Sequence, residues 1–243
     1  MTTSPPAQVA DLDHAATTAL RPEAAAAMEP FGAERYGNPS GAHRLARDAV
    51  RAVDEARERV AEILGCEPGE VVFTSGGTES DNHAVTGGMP PRDGVPVCSA
   101  VEHHAVLDPV LALGGRTVRV DPTGRVDLEH LAEVLDELGT EASVVSVMLA
   151  NNETGVVNDL DAVASVVRTH EPEVPGVPLH TDAVQAAAWI DLRVAAAAAD
   201  LVSVSAHKLG GPKGVGALVA RRHAHLRPLL LGGGQERGRR SGT

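Results

Sequence analysis

Short apolar runs rich in valine recur along the chain, separated by segments of helical spacing, and this alternation restricts the fold more than any other feature. The runs lie near residues 70–74, 95–99, 117–120, 143–149, 177–181, 201–205 and 215–220. Helical spacing is found near 41–64, 75–87, 104–113, 127–138, 159–170 and 222–229. An unbroken apolar run suits a strand covered on both faces, because a half-exposed strand alternates polar and apolar residues. Strands alternating with helices therefore predict an α/β fold: a mainly parallel, seven-stranded sheet with helices on both faces. The segment 41–64 shows the local logic. Leu45, Ala49, Val53, Ala56 and Val60 fall at helical steps, and Gly65 stands where a C-terminal cap belongs. Residues 1–11 read as a flexible tail. The alanine runs Ala24–Ala27 and Ala195–Ala199 are compatible with helix and receive no further assignment.

A chain of 243 residues can bury a substantial core as one large domain. Its aromatics are few (Phe31, Tyr36, Phe73 and Trp189), so that core must be built from Val, Leu, Ile and Ala. The formal net charge of -12 disfavours nucleic acid or an anionic membrane as partner. No apolar run is long enough to span a bilayer, and Met1–Ala10 lacks the basic and apolar regions of a secretion signal. Cys66 and Cys98 form neither a disulfide framework nor a metal-ligand spacing. No metal site is expected, and the cytoplasm is the expected compartment.

In open α/β sheets ligands bind beyond the carboxyl ends of the strands. Five loops there carry candidate chemistry. Thr74–Asn82 contains Gly76 and Gly77 ahead of a helix. It could cradle a phosphate with Thr78 adding a hydroxyl, or form a tight turn in which Thr78 caps the helix and Glu79 and Asp81 complement its dipole. In Glu102-His-His-Ala105 a histidine could stack on a flat ligand or cap a helix. Asn151 and Asn152 are turn formers or present an amide to a ligand. Asp182 could face a protonated ring nitrogen, with Gln185 three residues on, or serve as a helix N-cap. The fifth loop, Ser205–Gly216, holds the only two lysines of the chain, Lys208 and Lys213. An amine can be deprotonated in a buried site and add to an aldehyde, which a guanidinium cannot do. A phosphate cradle, a ring-stacking group, an amide, an acid and an amine together meet the needs of pyridoxal 5′-phosphate.

These residues resemble the cysteine desulfurases of the NifS/IscS type, within the class V aminotransferases. The segments that carry the likeness are Leu12–Thr18, Gly37–Ser40 with His43, Val72–Asn82, Glu102–Leu107, Asn151–Gly155, His180–Gln185, Ser205–Lys208, Gly211–Gly216 and Gly232–Thr243, all in family order. The resemblance implies the large domain of the fold type I transferases over residues 12–243, with pyridoxal 5′-phosphate as cofactor. It implies that Lys208 binds the cofactor as a Schiff base and acts as base at the substrate Cα. Asp182 would pair with the ring nitrogen, Gln185 with the phenolic oxygen, and His103 rather than His104 would stack on the ring and serve catalysis. Gly77, Thr78, Ser205 and His207 would hold the phosphate, and Asn152 would contact cofactor or substrate. Lys213 would fix the glycine-rich loop. Family members are homodimers, and Thr243 would reach the phosphate of the partner subunit's cofactor. The substrate implied is L-cysteine, giving L-alanine and an enzyme persulfide that feeds iron–sulfur clusters or thio-cofactors through a sulfur-acceptor or scaffold protein.

The family pattern continues past Arg240-Ser-Gly-Thr243 into a small domain and a loop with the nucleophilic cysteine, and neither Cys66 nor Cys98 matches that cysteine. The sequence therefore leads us to expect a large domain alone, incomplete for sulfur transfer. Alternatives are another class V enzyme, such as a selenocysteine lyase or an aminotransferase, or a non-catalytic cofactor-binding dimerisation remnant.

Overall fold

The computed structural model describes residues 10–88, 94–170 and 176–242. Seven strands form one sheet: β1 (Val71–Thr74), β2 (Val95–Ser99), β3 (Arg116–Val118), β4 (Ala142–Ser146), β5 (Leu179–Asp182), β6 (Leu201–Ser205) and β7 (Gly216–Ala220). Their spatial order is β1-β7-β6-β5-β4-β2-β3. All neighbouring pairs are parallel except those of β7, which runs antiparallel to both β1 and β6. The mainly parallel sheet expected from the valine-rich runs is therefore present, with one reversed strand inserted near its edge.

Both faces are covered. Helices α3 (Gly77–Gly87) and α4 (His104–Ala112) pack on one face; α2 (Arg44–Leu64), α5 (Leu128–Leu138), α6 (Leu160–Thr169) and the single turn α7 (Leu192–Ala195) pack on the other. Strand residues alternate between the two cores. Val71, Val97, Ala217 and Val219 join the core beneath α2, α5 and α6, while Val72, Leu218 and Ala220 pack under α3, and Cys98 packs with α3 and α4. This double burial is why the strands read as continuous apolar runs. A fully buried side chain such as Leu131 or Leu201 contributes ~1.5–3 kcal/mol by leaving water.

Local chemistry sets the element ends. Helix α2 starts where the His43 side chain accepts from Ala46 N and ends at Gly65, whose φ of +63° suits a left-handed cap. Its buried stripe is Ala46, Ala49, Arg57, Ala61 and Leu64, one step round from the stripe read from the sequence, so Leu45 is exposed. Asp127 and Asp159 cap α5 and α6 through their carboxylates. A helix absent from the sequence assignments, α1 (Pro22–Ala33), begins on Pro22 and buries none of its residues. The helix expected over 222–229 does not form. Ala224 N closes a turn on Arg221 O, Arg227 N donates to Gly87 O, and Pro228 supplies no donor.

The segment after β7 returns to the sheet edge. Glu236 accepts from Phe73 N at 2.9 Å, capping a free donor of edge strand β1. It also accepts two bonds from Arg57, at 2.8 and 2.9 Å. Glu236 and Arg237 sit at φ +50° and +57°, a conformation costing a residue with a side chain ~1–3 kcal/mol. The Arg57 and Phe73 bonds hold the backbone there.

Candidate active site

The loops after β1, β2, β4, β5 and β6 meet at the carboxyl edge of the sheet around a cleft of about 510 Å³. Gly77, Thr78, His103, Asn152, Asp182, Gln185, Ser205, His207 and Lys208 all line it. Thr243 lies outside the described residues.

Part of the cleft lining could hold an anion. Helix α3 starts after Gly76, and no side chain caps it. Thr78 is thus inside the first turn and is not the cap, so the N-terminal N–H groups remain available to a ligand. Gly76 has φ +152°, which residues with a Cβ rarely adopt. A Cβ on Gly77 would come within 2.8 Å of Val184 Cγ2. Against this turn lies Ser205, whose buried hydroxyl has no protein partner. Glu79, also in the first turn, would repel an anion, but Arg240 grips it at 2.6 and 3.2 Å and the Ser75 hydroxyl donates to it. Burial opposes its ionisation; the Arg240 and Ser75 bonds outweigh burial and leave its pKa below the usual carboxylate value.

The same cleft offers an acid and an amide. Asp182 closes β5, nearly buried, and accepts from Val184 N at 2.8 Å. No helix follows it, so that bond is a local turn, not an N-cap. Burial raises its pKa, and the nearby His103 and Lys208 pull it back. Gln185 Oε1 is buried without a partner. His103 lines the cleft and caps α4 at once, its Nδ1 accepting from Ala105 N at 3.1 Å. With Nδ1 accepting that bond, Nε2 is the nitrogen free to donate into the cleft. His104 points away, exposed, toward Asp108. The two asparagines divide the work. Asn151 accepts from Glu153 N and Thr154 N at 2.9 Å and donates to Val101 O, while Asn152 faces the cleft.

Beneath the cleft lies a buried layer. Asp81, read from sequence as a residue that could complement the helix dipole, is 1% exposed and lines the cleft floor. It falls four residues after Gly77, on the α3 face that also buries Ala84 and Val85. Its pKa is raised well above normal by burial first and by Asp182 next. His180 Nε2 approaches Asp81 at 3.6 Å. This is not a charged pair, since burial pushes the imidazole down to about 3. The ring instead bonds to Ser146 Oγ at 2.8 Å and Ser203 Oγ at 3.0 Å. Glu102 joins the ends of β2 and β4, accepting from Ser99 Oγ and Met148 N, both at 2.7 Å. Burial pushes its pKa up to about 8, so it is a neutral acid at pH 7.

Lys208 ends a short 3-10 turn after β6. Its amine donates to Ala15 O and, at 3.0 Å, to Ala16 O. Burial lowers its pKa, while Asp182 and Asp13 oppose that shift. His207 bonds Thr17 Oγ1 through Nδ1 at 3.1 Å, and burial with the neighbouring Lys208 and Lys213 keeps it neutral-leaning. Lys213 is exposed on the cleft lining, a second amine at the same site. The contributions of Ala15, Ala16 and Thr17 were invisible to loop-by-loop reading, because they lie about 190 residues from the lysine turn in sequence.

Neither cysteine lines the cleft. Cys98 is buried in β2, its pKa pushed up to about 12, and Cys66 follows α2 with its pKa raised to about 11, both by burial first. Among the described residues no cluster of His, Cys, Asp and Glu could hold a metal ion, and no helix is long and apolar enough to cross a membrane.

Bare helix N–H groups, the unpartnered Ser205 hydroxyl and Gln185 oxygen, and a buried acid fit a group with a phosphate at one end and a basic ring nitrogen at the other. A family model described as aminotransferase class-V matches residues 11–239. The chain is 40% identical over 240 residues to cysteine desulfurase IscS of Dictyoglomus turgidum, an alignment covering 96% of this chain and 59% of that protein. A solved NifS-like protein superposes with a TM-score of 0.87 at 38% identity, covering 95% of this chain and 64% of the other. A structure described as SspA in complex with cysteine gives 0.85 at 34% identity, covering 95% and 67%. The chain thus spans about three fifths of the length of the curated relative it matches.

Proposed function

The chain belongs to the class-V aminotransferase family, and we propose that its cleft binds pyridoxal 5′-phosphate for removal of sulfur from L-cysteine. The observation that carries this is the gathering of an amine, a buried acid and a bare helix N-terminus around a single cleft. The cofactor, when bound, supplies an electron sink for the bond-breaking at the substrate Cα.

The protein's own residues do the rest. Gly77, Thr78, Ser205 and His207 would hold the phosphate, with the α3 dipole favouring its charge. Asp182 would hold a proton on the ring nitrogen. Its burial raises its pKa, so a ring N–H offers the donor that keeps it ionised. Gln185 would hydrogen-bond the phenolic oxygen through its side-chain amide, and His103 would cover the ring face. Lys208 would bind the cofactor and move the proton at Cα, because burial already favours its neutral amine. Asn152 would orient cofactor or substrate. L-Cysteine as substrate follows the names of the relatives and the cysteine bound by SspA. The sulfur acceptor is a thiol other than Cys66 and Cys98, since both lie away from the cleft with raised pKa values. In the same reading the protein would be a cytoplasmic homodimer in which Thr243 would reach the partner's cofactor phosphate, with a sulfur-acceptor protein downstream.

Borohydride reduction of the protein with pyridoxal 5′-phosphate, followed by peptide mapping, is the test. A pyridoxyl label on Lys208, lost in Lys208→Ala, is the expected result. Label on Lys213 alone, or on neither lysine, would sink the assignment. Alanine formed from L-cysteine in the presence of an added thiol would then test the substrate.

A further inference from the structure

Residues 15–21 run against the lysine turn, and one side chain ties the turn on both sides of Lys208. The Thr18 hydroxyl donates to His207 O at 2.7 Å and accepts from Gly210 N at 2.8 Å. Thr18 N donates to the same His207 carbonyl at 2.9 Å. Arg21 N then closes the strap by donating to Gly210 O at 2.9 Å. Gly210 has φ +77°, and a Cβ there would lie 2.4 Å from Arg21 Cγ, so the strap and turn fit only with glycine. Upstream, Ala15 O and Ala16 O receive the lysine amine.

We infer that Thr18 is a positioning residue for the cofactor lysine: its hydroxyl braces the backbone on either side of Lys208 and so fixes where the amine stands. The hydroxyl is used as donor and as acceptor at once. A serine can do both; a valine of nearly the same shape can do neither. Without it, Gly210 N has no partner and one of the two bonds to His207 O is lost. The turn can then rotate, and the amine leaves its place at the Ala15 and Ala16 carbonyls, within the field of Asp182. The strap comes from the far end of the chain, so it couples the order of residues 15–21 to the reactivity of a residue about 190 positions away.

The inference rests on Lys208 being the cofactor lysine, and the experiment separates the two. Reductive labelling with pyridoxal 5′-phosphate and borohydride is timed in the unmodified protein, Thr18→Val and Thr18→Ser, with peptide mapping. Amide hydrogen exchange at Gly210 is followed in each without cofactor. Thr18→Val should label Lys208 about tenfold more slowly, as befits the loss of a partly buried hydrogen-bond bridge. Its Gly210 amide should lose protection, and Thr18→Ser should restore both. Labelling of Lys208 at the unmodified rate in Thr18→Val overturns the brace, as does a melting-temperature loss with labelling unchanged. Labelling of Lys213 in place of Lys208 in the unmodified protein overturns the functional reading instead. Should Thr18→Val fail to fold, the unmodified protein still decides: a Gly210 amide exchanging as fast as an unstructured peptide refutes the brace.

Discussion

Glu102→Gln should change how stability depends on pH, with little change in shape. In the folded chain Glu102 keeps its proton up to about pH 8, against 4.5 for an ordinary glutamate. The cause is burial; bonds from Ser99 and Met148 act the other way and do not overcome it. Between those two pH values the folded state binds more protons than the unfolded state, so raising the pH favours unfolding. The slope is ~1.4 kcal/mol per pH unit, which amounts to roughly 4 kcal/mol between pH 5 and pH 8. Below 4.5 the stabilisation from the neutral acid is complete, and above 8 it changes no further. Glutamine keeps an oxygen to accept from Ser99 and Met148 and cannot ionise. The stability of Glu102→Gln minus that of the unmodified chain should therefore climb steadily to about pH 8 and then level off. Groups away from Glu102 cancel in this difference; Asp81, Asp182 and Cys98, which interact with its charge, are the neighbours that can add to it. Urea unfolding followed by far-ultraviolet circular dichroism at half-unit pH steps measures it; Trp189 is too exposed to report on the core. Parallel curves for the two proteins from pH 5 to pH 9 would refute the neutral, buried state of Glu102.

His180 gives the opposite sign: with its folded pKa near 3 against 6.5 unfolded, the chain should lose stability as pH falls from 6.5 toward 3, at up to ~1.4 kcal/mol per unit. His180→Asn should flatten that acid limb in thermal melts, and an unchanged limb would argue against the assignment. Gly77→Ala should weaken cofactor binding at least about tenfold in an absorbance titration, because its Cβ would meet Val184 at 2.8 Å beside backbone donors that must approach a phosphate closely. The double variant with Val184→Ala should recover most of the loss, and equal affinity in Gly77→Ala would exclude the cradle. Arg57→Ala should cost ~3 kcal/mol or more in chemical denaturation, since it strips both bonds from the Glu236 carboxylate and one from Val71 O. A cost under ~1 kcal/mol would show that water replaces the guanidinium freely.

Most elements were legible because their causes are local. Valine-rich runs marked all seven strands, Gly65 ended α2, and Asp127 and Asp159 stand at the starts of α5 and α6. The misreadings were also physical. Residues 222–229 had helical spacing, but Pro228 and a bond to Gly87 turned them into a bend. Helix α1 hid because a segment of alanines that buries nothing shows no apolar stripe. Leu45 is exposed because Ala46, one position on, takes the buried place on α2. Lys208, Asp182, His103 and the glycines were legible as candidates because each loop sits at a strand's carboxyl end, and the fold gathers them around one cleft. Asp81, which the sequence offers only as a residue that could complement the helix dipole, lies on the buried face of α3 with Ala84 and Val85.

The sequence by itself determined the sheet, its double covering and which loops lie at the carboxyl ends of the strands, because strand burial and helix caps are written in neighbouring residues. Loop chemistry alone left Asn151 and Asn152 equivalent, and only the family resemblance pointed to Asn152; neither told that Asp81 and Asp182 line one cleft or that Thr18 grips the lysine turn. Those depend on contacts between residues far apart in the chain, and on burial that shifts a carboxyl or an imidazole by several pH units. Both arise only when the strands have taken their order and the helices have closed over them.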